Sequence, residues 1–585
     1  MAEYQNPQHE PGSERRLLII FLVTFVLMLA FQPLLKKYFP TPLTPQSQQA
    51  QSPTAPPPPQ PTSTPTAPVA PVATKQAASE TETVIENDLY RITFTNRGAQ
   101  VKSWILKKFD NEAANGPLDL VNPTTSAQFG YPLSLWTYDE NLRGQLNSAL
   151  YVTSHDGKLT VPSTISYEYS GQDLTVRKSF TFDNTYIVKI DTSVTYKGMP
   201  VAALPSWPSG FGDQTTPAFY ASSLLSYQYN KNIERVPGRC SSWFGKCTQV
   251  IGGATLPGPF HWAGTNDQYF AAVFIPDDPA ATSMVTLNRQ MAIPKDAQKP
   301  DPKETVNVDI VGAAVGNLHG QTSERIFAGP KELQVLQKIQ IPGTGSNDLN
   351  GLIDFGWWGV IAKPLFIWLR WTYYHIVPNW GWSIIIQTLI ISALLMPLRV
   401  YQIHSMYKMQ RIAPQIKSIQ DKYKKYSMRD PRKQDMQKEI YALQQKEGAN
   451  PVAGCLPMLI QFPFLIAYYR MLGTALDLRH AHWLWIKDLS AADPIFILPI
   501  LMVISSLVTQ KMTPQAGMDP AQQKMLNVMM PLMMGFIFFR LAAGLNLYYA
   551  VVNLIGIGQQ SVMNRTRLGK EMRELMAKRA RKKDK

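Results

Sequence analysis

Residues 381–399 read GWSIIIQTLIISALLMPLR, and residues 450–472 read NPVAGCLPMLIQFPFLIAYYRML. Each stretch is apolar enough to enter a bilayer, and each is interrupted. Gln387, Thr388 and Ser392 break the first; Pro457, Gln461 and Pro463 break the second. Polar groups in hydrocarbon cost free energy, so they persist where they serve a function. Between the two lies a basic segment, 400–453, with helical periodicity. The combination reads as a membrane bundle with a wet internal surface and a helical hairpin outside it.

Further apolar runs at 17–35, 494–510, 526–541 and 544–563 bring the expected spans to six, with 381–398 and 454–472. Several are shorter than the ~20 residues that cross a typical bilayer, which implies local thinning or hydration. The run at 17–35 follows Arg15 and Arg16 and shows no small-residue cleavage pattern, so it reads as an uncleaved signal anchor after a short cytoplasmic segment, 1–16. Residues 36–81 are rich in Pro, Ala, Thr and Gln and cannot bury a core; they form a tether. From 82 to 340, segments such as YRITFTN and LTVRKSFTF alternate apolar and polar residues between turn formers, the pattern of a large antiparallel β-sandwich. Residues 351–377 are dense in Trp and Tyr, with Lys363 and Arg370 seven apart, which suits a helix lying in the membrane interface.

The chain of 585 residues carries a net charge of +15. Residues 399–453 hold 12 Lys/Arg against 5 Asp/Glu, and residues 564–585 hold 10 against 3, so these two pieces carry nearly all the excess. The positive-inside rule puts both on the cytoplasmic side, and six spans put both termini there. The 401–426 segment places Ile412, Ile416, Ile419 and Tyr423 at helical spacing; the 432–447 segment does the same with Met436, Ile440 and Leu443. The two stripes are expected to pack as a hairpin. A basic tail can hold anionic lipid or ribosomal RNA. DNA is not an expected partner.

No catalytic constellation is present: there is no GxSxG elbow, no HExxH and no phosphate loop, and no cofactor or metal is expected. His480 and His482 sit beside Trp483 and Trp485 in a short loop that reads as interfacial. Cys240 and Cys247 lie in the β-rich region; outside the cytoplasm they are expected to close a small disulfide loop, the alternative being two unpaired thiols. The polar residues of the spans are the better clue. Thr388, Ser392 and Arg399 share a helical face, Gln461 lies on the next span, and Asn546, Tyr549 and Asn553 follow i, i+3, i+7 on the last. If these faces converge, the bundle encloses a hydrophilic groove; the bland alternative is ordinary interhelical hydrogen bonding. The methionines crowding 502–534 suit contact with varied apolar helices.

The segments 381–399, MYKMQRIAPQIKSIQDKY (406–423), 450–472 and GLNLYYAVVNLIGIGQQ (544–560) resemble the YidC/Oxa/Alb membrane-protein insertases, with specificity concentrated in 350–585. The resemblance implies a non-enzymatic insertase of the bacterial inner membrane. It implies five helices forming the core, a groove open to cytoplasm and lipid, a cytoplasmic hairpin needed for activity and a large periplasmic β-domain. It implies nascent membrane proteins as substrates, with the Sec translocon and the ribosome as partners. One departure stands out. The family carries a groove arginine where this chain has Ser392; the nearest positive charge on that face is Arg399, ~10 Å toward the cytoplasm. The rival reading is a secondary transporter using the polar stripe as a solute site. The few spans and the lack of repeat symmetry speak against it.

Overall fold

The computed structural model describes residues 74–574, apart from 213–219, 221, 231, 241–247, 296–303, 343–348, 427–429, 450–455, 513–519, 568, 572 and 573. The anchor at 17–35, most of the tether, Cys247 and the end of the basic tail lie outside the described residues. Cys240 is disulfide-bonded.

Strict alternation builds the β-domain. Strand β1 (Leu174–Phe182) buries every second side chain, and β2 (Ile187–Tyr196) pairs with it antiparallel in register Val188 to Phe182. They belong to a ten-stranded sheet that also holds β3 (Asn232–Pro237), β4 (Phe260–Asn266), β5 (Phe270–Pro276) and β8 (Thr322–Pro330). A five-stranded sheet centred on the long hairpin β6 (Thr282–Pro294) and β7 (Thr305–Asn317) packs against it, with Trp207 and Trp262 fully buried in the domain core. A third sheet contains the parallel pairing of Glu82–Glu86 with Gly157–Thr160, so the antiparallel expectation needs that one amendment. The sandwich buries Lys178 completely; its ammonium donates to the carbonyls of Gly98, Ala99 and Leu133 at 2.6–3.0 Å.

Helix α1 spans Gly359–His375, shorter than the 351–377 read from the sequence. Pro378 prevents it from continuing, and Asn379 caps α2 (Trp380–Leu394) by accepting from the Trp382 amide, so the chain bends by 120°. No single described helix is long and apolar enough to cross a membrane, and α1 with α2 passes that test only as a bent pair. The expected span 381–398 stops at Leu394. Pro397, in the first turn of α3 (Met396–Lys422), lacks the amide that would have continued α2. The remaining helices are α4 (Arg432–Lys446), α5 (Leu456–Thr474), α6 (Ile497–Met512), α7 (Pro520–Phe538) and α8 (Ala543–Arg565). Helices α3 and α4 pack through Ile412, Ile416 and Ile440, with Ile419, Met436 and Leu443 against them. Tyr423 and Lys422 both donate to the Glu439 carboxylate.

The β-domain and the helices share one apolar core, continuous through Leu333, Leu336, Leu349 and Leu352. Charges pin the junction. Arg370 of α1, read from the sequence as an interfacial charge beside Lys363, is instead buried: its guanidinium lies 3.6 Å from Glu332 and 3.6 Å from Asp477. Lys363 stays exposed. Arg479, in the loop after α5, donates to the Asp110 carbonyl at 2.7 Å, pairs with Glu112 at 3.3 Å and lies over the rings of Tyr269 and Phe270.

Candidate functional site

A cavity of about 670 Å³, counting its open mouth, lies among α2, α3, α5 and α8. Four of the residues singled out in the sequence line it: Thr388, Ser392, Arg399 and Gln461. The sequence reading left out Gln402, Tyr548 and Gln559, which join them. Gln402 lies at the start of the basic hairpin segment and Gln559 near the end of the last apolar run, off the polar stripe read there, so only their contact with the bundle reveals them.

The end of the cavity against α1 is closed. Gln387 is fully buried and donates to the Leu365 carbonyl of α1 at 2.9 Å while accepting from the Tyr468 hydroxyl at 2.6 Å. Tyr468 stacks on Tyr548 with centroids 4.0 Å apart and planes 13° apart. Thr388, just inside, turns its hydroxyl to the Ile384 carbonyl at 2.6 Å, a local bond that leaves little for a ligand. The plug is thus polar yet internally satisfied, which is the condition for burying polar groups at low cost.

Toward α3 the lining changes. Ser392 and Gln461 are half-buried. Arg399 is half-buried as well, and among the described residues no carboxylate pairs with it. Gly556 explains how the side chain fits: a Cβ on that glycine would come 2.7 Å from an Arg399 Nη, so the guanidinium lies directly on the backbone of α8. A long cation held against a glycine, with no carboxylate partner among the described residues, can meet an anionic or strongly polar group entering the cavity.

Two residues expected alongside them do not line this cavity. Tyr549 packs on Phe538 of α7, centroids 5.1 Å apart, and is not among the residues lining the cavity, although it stands near enough to Arg399 to interact with it electrostatically. Asn553 faces α6, donating to Ser506 Oγ at 2.9 Å and Ser505 Oγ at 3.2 Å. Asn546 donates to the Phe538 and Leu541 carbonyls and fixes the turn into α8. The i, i+3, i+7 pattern identified a real face of α8, but that face is a seam with α6 and α7, as interhelical amides often are. The cavity-lining face of α8 is the adjacent one, carrying Tyr548, Val552, Ile555 and Gln559.

Comparison with known proteins agrees with this architecture. The family model described as the YidC periplasmic domain matches residues 82–368, and the one described as 60Kd inner membrane protein matches residues 371–571. The membrane protein insertase YidC of Cupriavidus taiwanensis is 38% identical over 330 residues, 56% of this chain and 55% of that protein. That of Citrifermentans bemidjiense is 31% identical over 494 residues, 83% of this chain and 85% of that protein. Among solved structures, an active YidC insertase with its first transmembrane domain resolved is 19% identical, with 84% of this chain and 95% of that one covered and a TM-score of 0.35. The β-domain joined to a helical bundle and the length of sequence shared with these relatives lead to one conclusion: the chain belongs to the YidC family of membrane protein insertases.

Proposed function

We propose that this protein inserts newly made membrane proteins into the bacterial inner membrane without an enzymatic step, using the cavity between α2, α3, α5 and α8 as a transient polar resting place. The observation that carries the reading is Arg399, which among the described residues pairs with no carboxylate and sits on Gly556, in the same cavity as Ser392 and Gln461. A substrate helix meets the α3–α4 hairpin on the cytoplasmic side. Its polar tail lodges among Ser392, Arg399, Gln402 and Gln461, whose donors and acceptors replace part of the lost water. The Gln387–Tyr468 plug stops the tail from slipping straight through. The apolar segment then moves sideways into lipid, and burying ~20 apolar residues supplies the driving force. Arg399 takes over, nearer the mouth, the attraction that a cation at position 392 would have exerted.

In this reading the β-domain is periplasmic, both termini are cytoplasmic, and the basic hairpin and tail meet the ribosome and anionic lipid. The protein works alone or beside the Sec translocon. The test is complementation of insertase-depleted cells, scoring the yield of a short two-span substrate with an acidic translocated tail. Ser392→Leu and Arg399→Ala are each expected to lower the yield several-fold. Full insertion by both variants would remove the cavity from the mechanism.

A further inference from the structure

A second cavity, about 760 Å³ with its mouth, lies where the β-domain meets the start of α1. Arg235 of β3, Asp354 and Lys363 of α1 contribute its charges. Arg470, near the end of α5, completes the group: a Cβ on Gly356, which lines the cavity, would come 3.7 Å from its Nε. Arg235 is fixed, donating to the Gly351 carbonyl and lying 3.9 Å from Asp354. Among the described residues neither Lys363 nor Arg470 makes an ion pair, although both are exposed. Three cations therefore stand around one carboxylate at a concave site, and among the described residues two of them make no ion pair.

The surface that leads away from this site is apolar. Val360, Ile367, Trp371 and Tyr374 are all at least half exposed, and their spacing of seven, four and three residues puts them on one side of α1, with Trp357 equally exposed just before the helix. Lys363 sits within that stripe. A row of bare apolar side chains running up to a cationic hollow matches the division of a phospholipid, with acyl chains along the helix and phosphate in the hollow. Trp and Tyr are the side chains that settle at headgroup depth, and a guanidinium with an ammonium is the usual donor set for a phosphate.

We propose that this cavity binds the headgroup phosphate of a phospholipid from the outer leaflet, with Arg470 and Lys363 as the contacting cations and Arg235 as a fixed third charge. The proposal rests on the reading of α1 as a helix lying along the periplasmic membrane surface. It concerns a site separate from the insertion groove, so its failure leaves the insertase reading standing. Asp354 lowers the net charge of the hollow, which favours a single phosphodiester over a doubly charged free phosphate.

The experiment is native mass spectrometry of the full-length protein in detergent, titrated with phosphatidylglycerol, with sn-glycerol 3-phosphate as the water-soluble counterpart. Wild type is expected to retain one lipid molecule that Lys363→Gln combined with Arg470→Gln loses by at least fivefold. Both positions are exposed, so the fold is retained. Lys197→Gln, on a distant hairpin of the β-domain, is expected to bind as wild type does. Equal retention by wild type and the double variant overturns the proposal, and so does the absence of retained lipid in wild type. Displacement of the lipid by glycerol phosphate at equal concentration overturns the lipid assignment in favour of a soluble phosphate ester.

Discussion

Replacing Arg370 by alanine is expected to loosen the joint between β-domain and bundle, and the size of the effect follows from the geometry. Arg370 stands 3.6 Å from both Glu332 and Asp477, with side-chain exposures of 7%, 28% and 9%. At an effective dielectric constant of ~20, each pair attracts by about 4–5 kcal/mol. Desolvation of the three charges offsets most of this in the intact protein. Removing only the arginine leaves the desolvation in place, and such changes cost ~3–5 kcal/mol. Glu332 keeps contact with water, so Asp477 dominates and the lower figure, ~3 kcal/mol, applies. That amounts to roughly a hundredfold increase in local opening. Hydrogen exchange at Leu333–Leu336 and Leu476–Leu478, corrected for intrinsic rates, reads this directly.

The pH dependence gives a second check. Burial pushes the Asp477 carboxyl above its usual value, and Arg370 partly opposes that push. A carboxyl raised in the folded state loses its proton first in the unfolded state, so its contribution to stability falls as pH rises above about 4. Without Arg370 the fall is steeper. The penalty of Arg370→Ala is therefore expected to be smaller at pH 5 than at pH 8, and Asp477→Asn in the same background is expected to recover most of the lost protection. A penalty independent of pH, or one untouched by Asp477→Asn, would refute the charge argument.

Two further outcomes are expected. Glu324 on β8 is fully buried, neither carboxylate oxygen is hydrogen-bonded among the described residues, and burial, with Asp277 nearby, raises its carboxyl well above the usual range. Glu324→Gln should therefore raise the melting temperature of the protein, by more at pH 8 than at pH 5, because over that range the unfolded glutamate is ionised while the buried one holds its proton, a gap that costs more stability with each pH unit; a lower melting temperature at both pH values counts against this. Gly556→Ala puts a methyl group 2.7 Å from the Arg399 guanidinium. It should reduce insertion about as much as Arg399→Ala does, and the double variant should be no worse than either. Multiplied losses would show that the two residues act separately.

The periodic parts of the molecule are written plainly in the sequence. Alternation locates the strands, and the isoleucine stripes locate the hairpin, because each burial pattern repeats within a few residues. Thr388, Ser392 and Arg399 were legible as one face for the same reason. What the sequence does not encode locally is which neighbour a face meets. Asn553 and Tyr549 share a stripe with Asn546, yet α6 and α7 occupy that side, so the stripe is a seam and the cavity takes the next face. Arg370 is a stronger case. Nothing near it in sequence separates it from Lys363, and its partners, Glu332 and Asp477, lie in the β-domain and in the loop after α5.

The break at Leu395 has a geometric consequence. Each residue of an α-helix turns the chain by 100°, so in one unbroken helix the groove wall and the hairpin would share a single angular phase, and any rotation of one would rotate the other. The interruption at Leu395, where Pro397 withholds one amide, is a joint at which the two phases are free to part. Ser392 is oriented by the packing of α2 alone, and Ile412 and Ile416 by the packing of α3 against α4. The wall and the hairpin can therefore each change in sequence without misaligning the other.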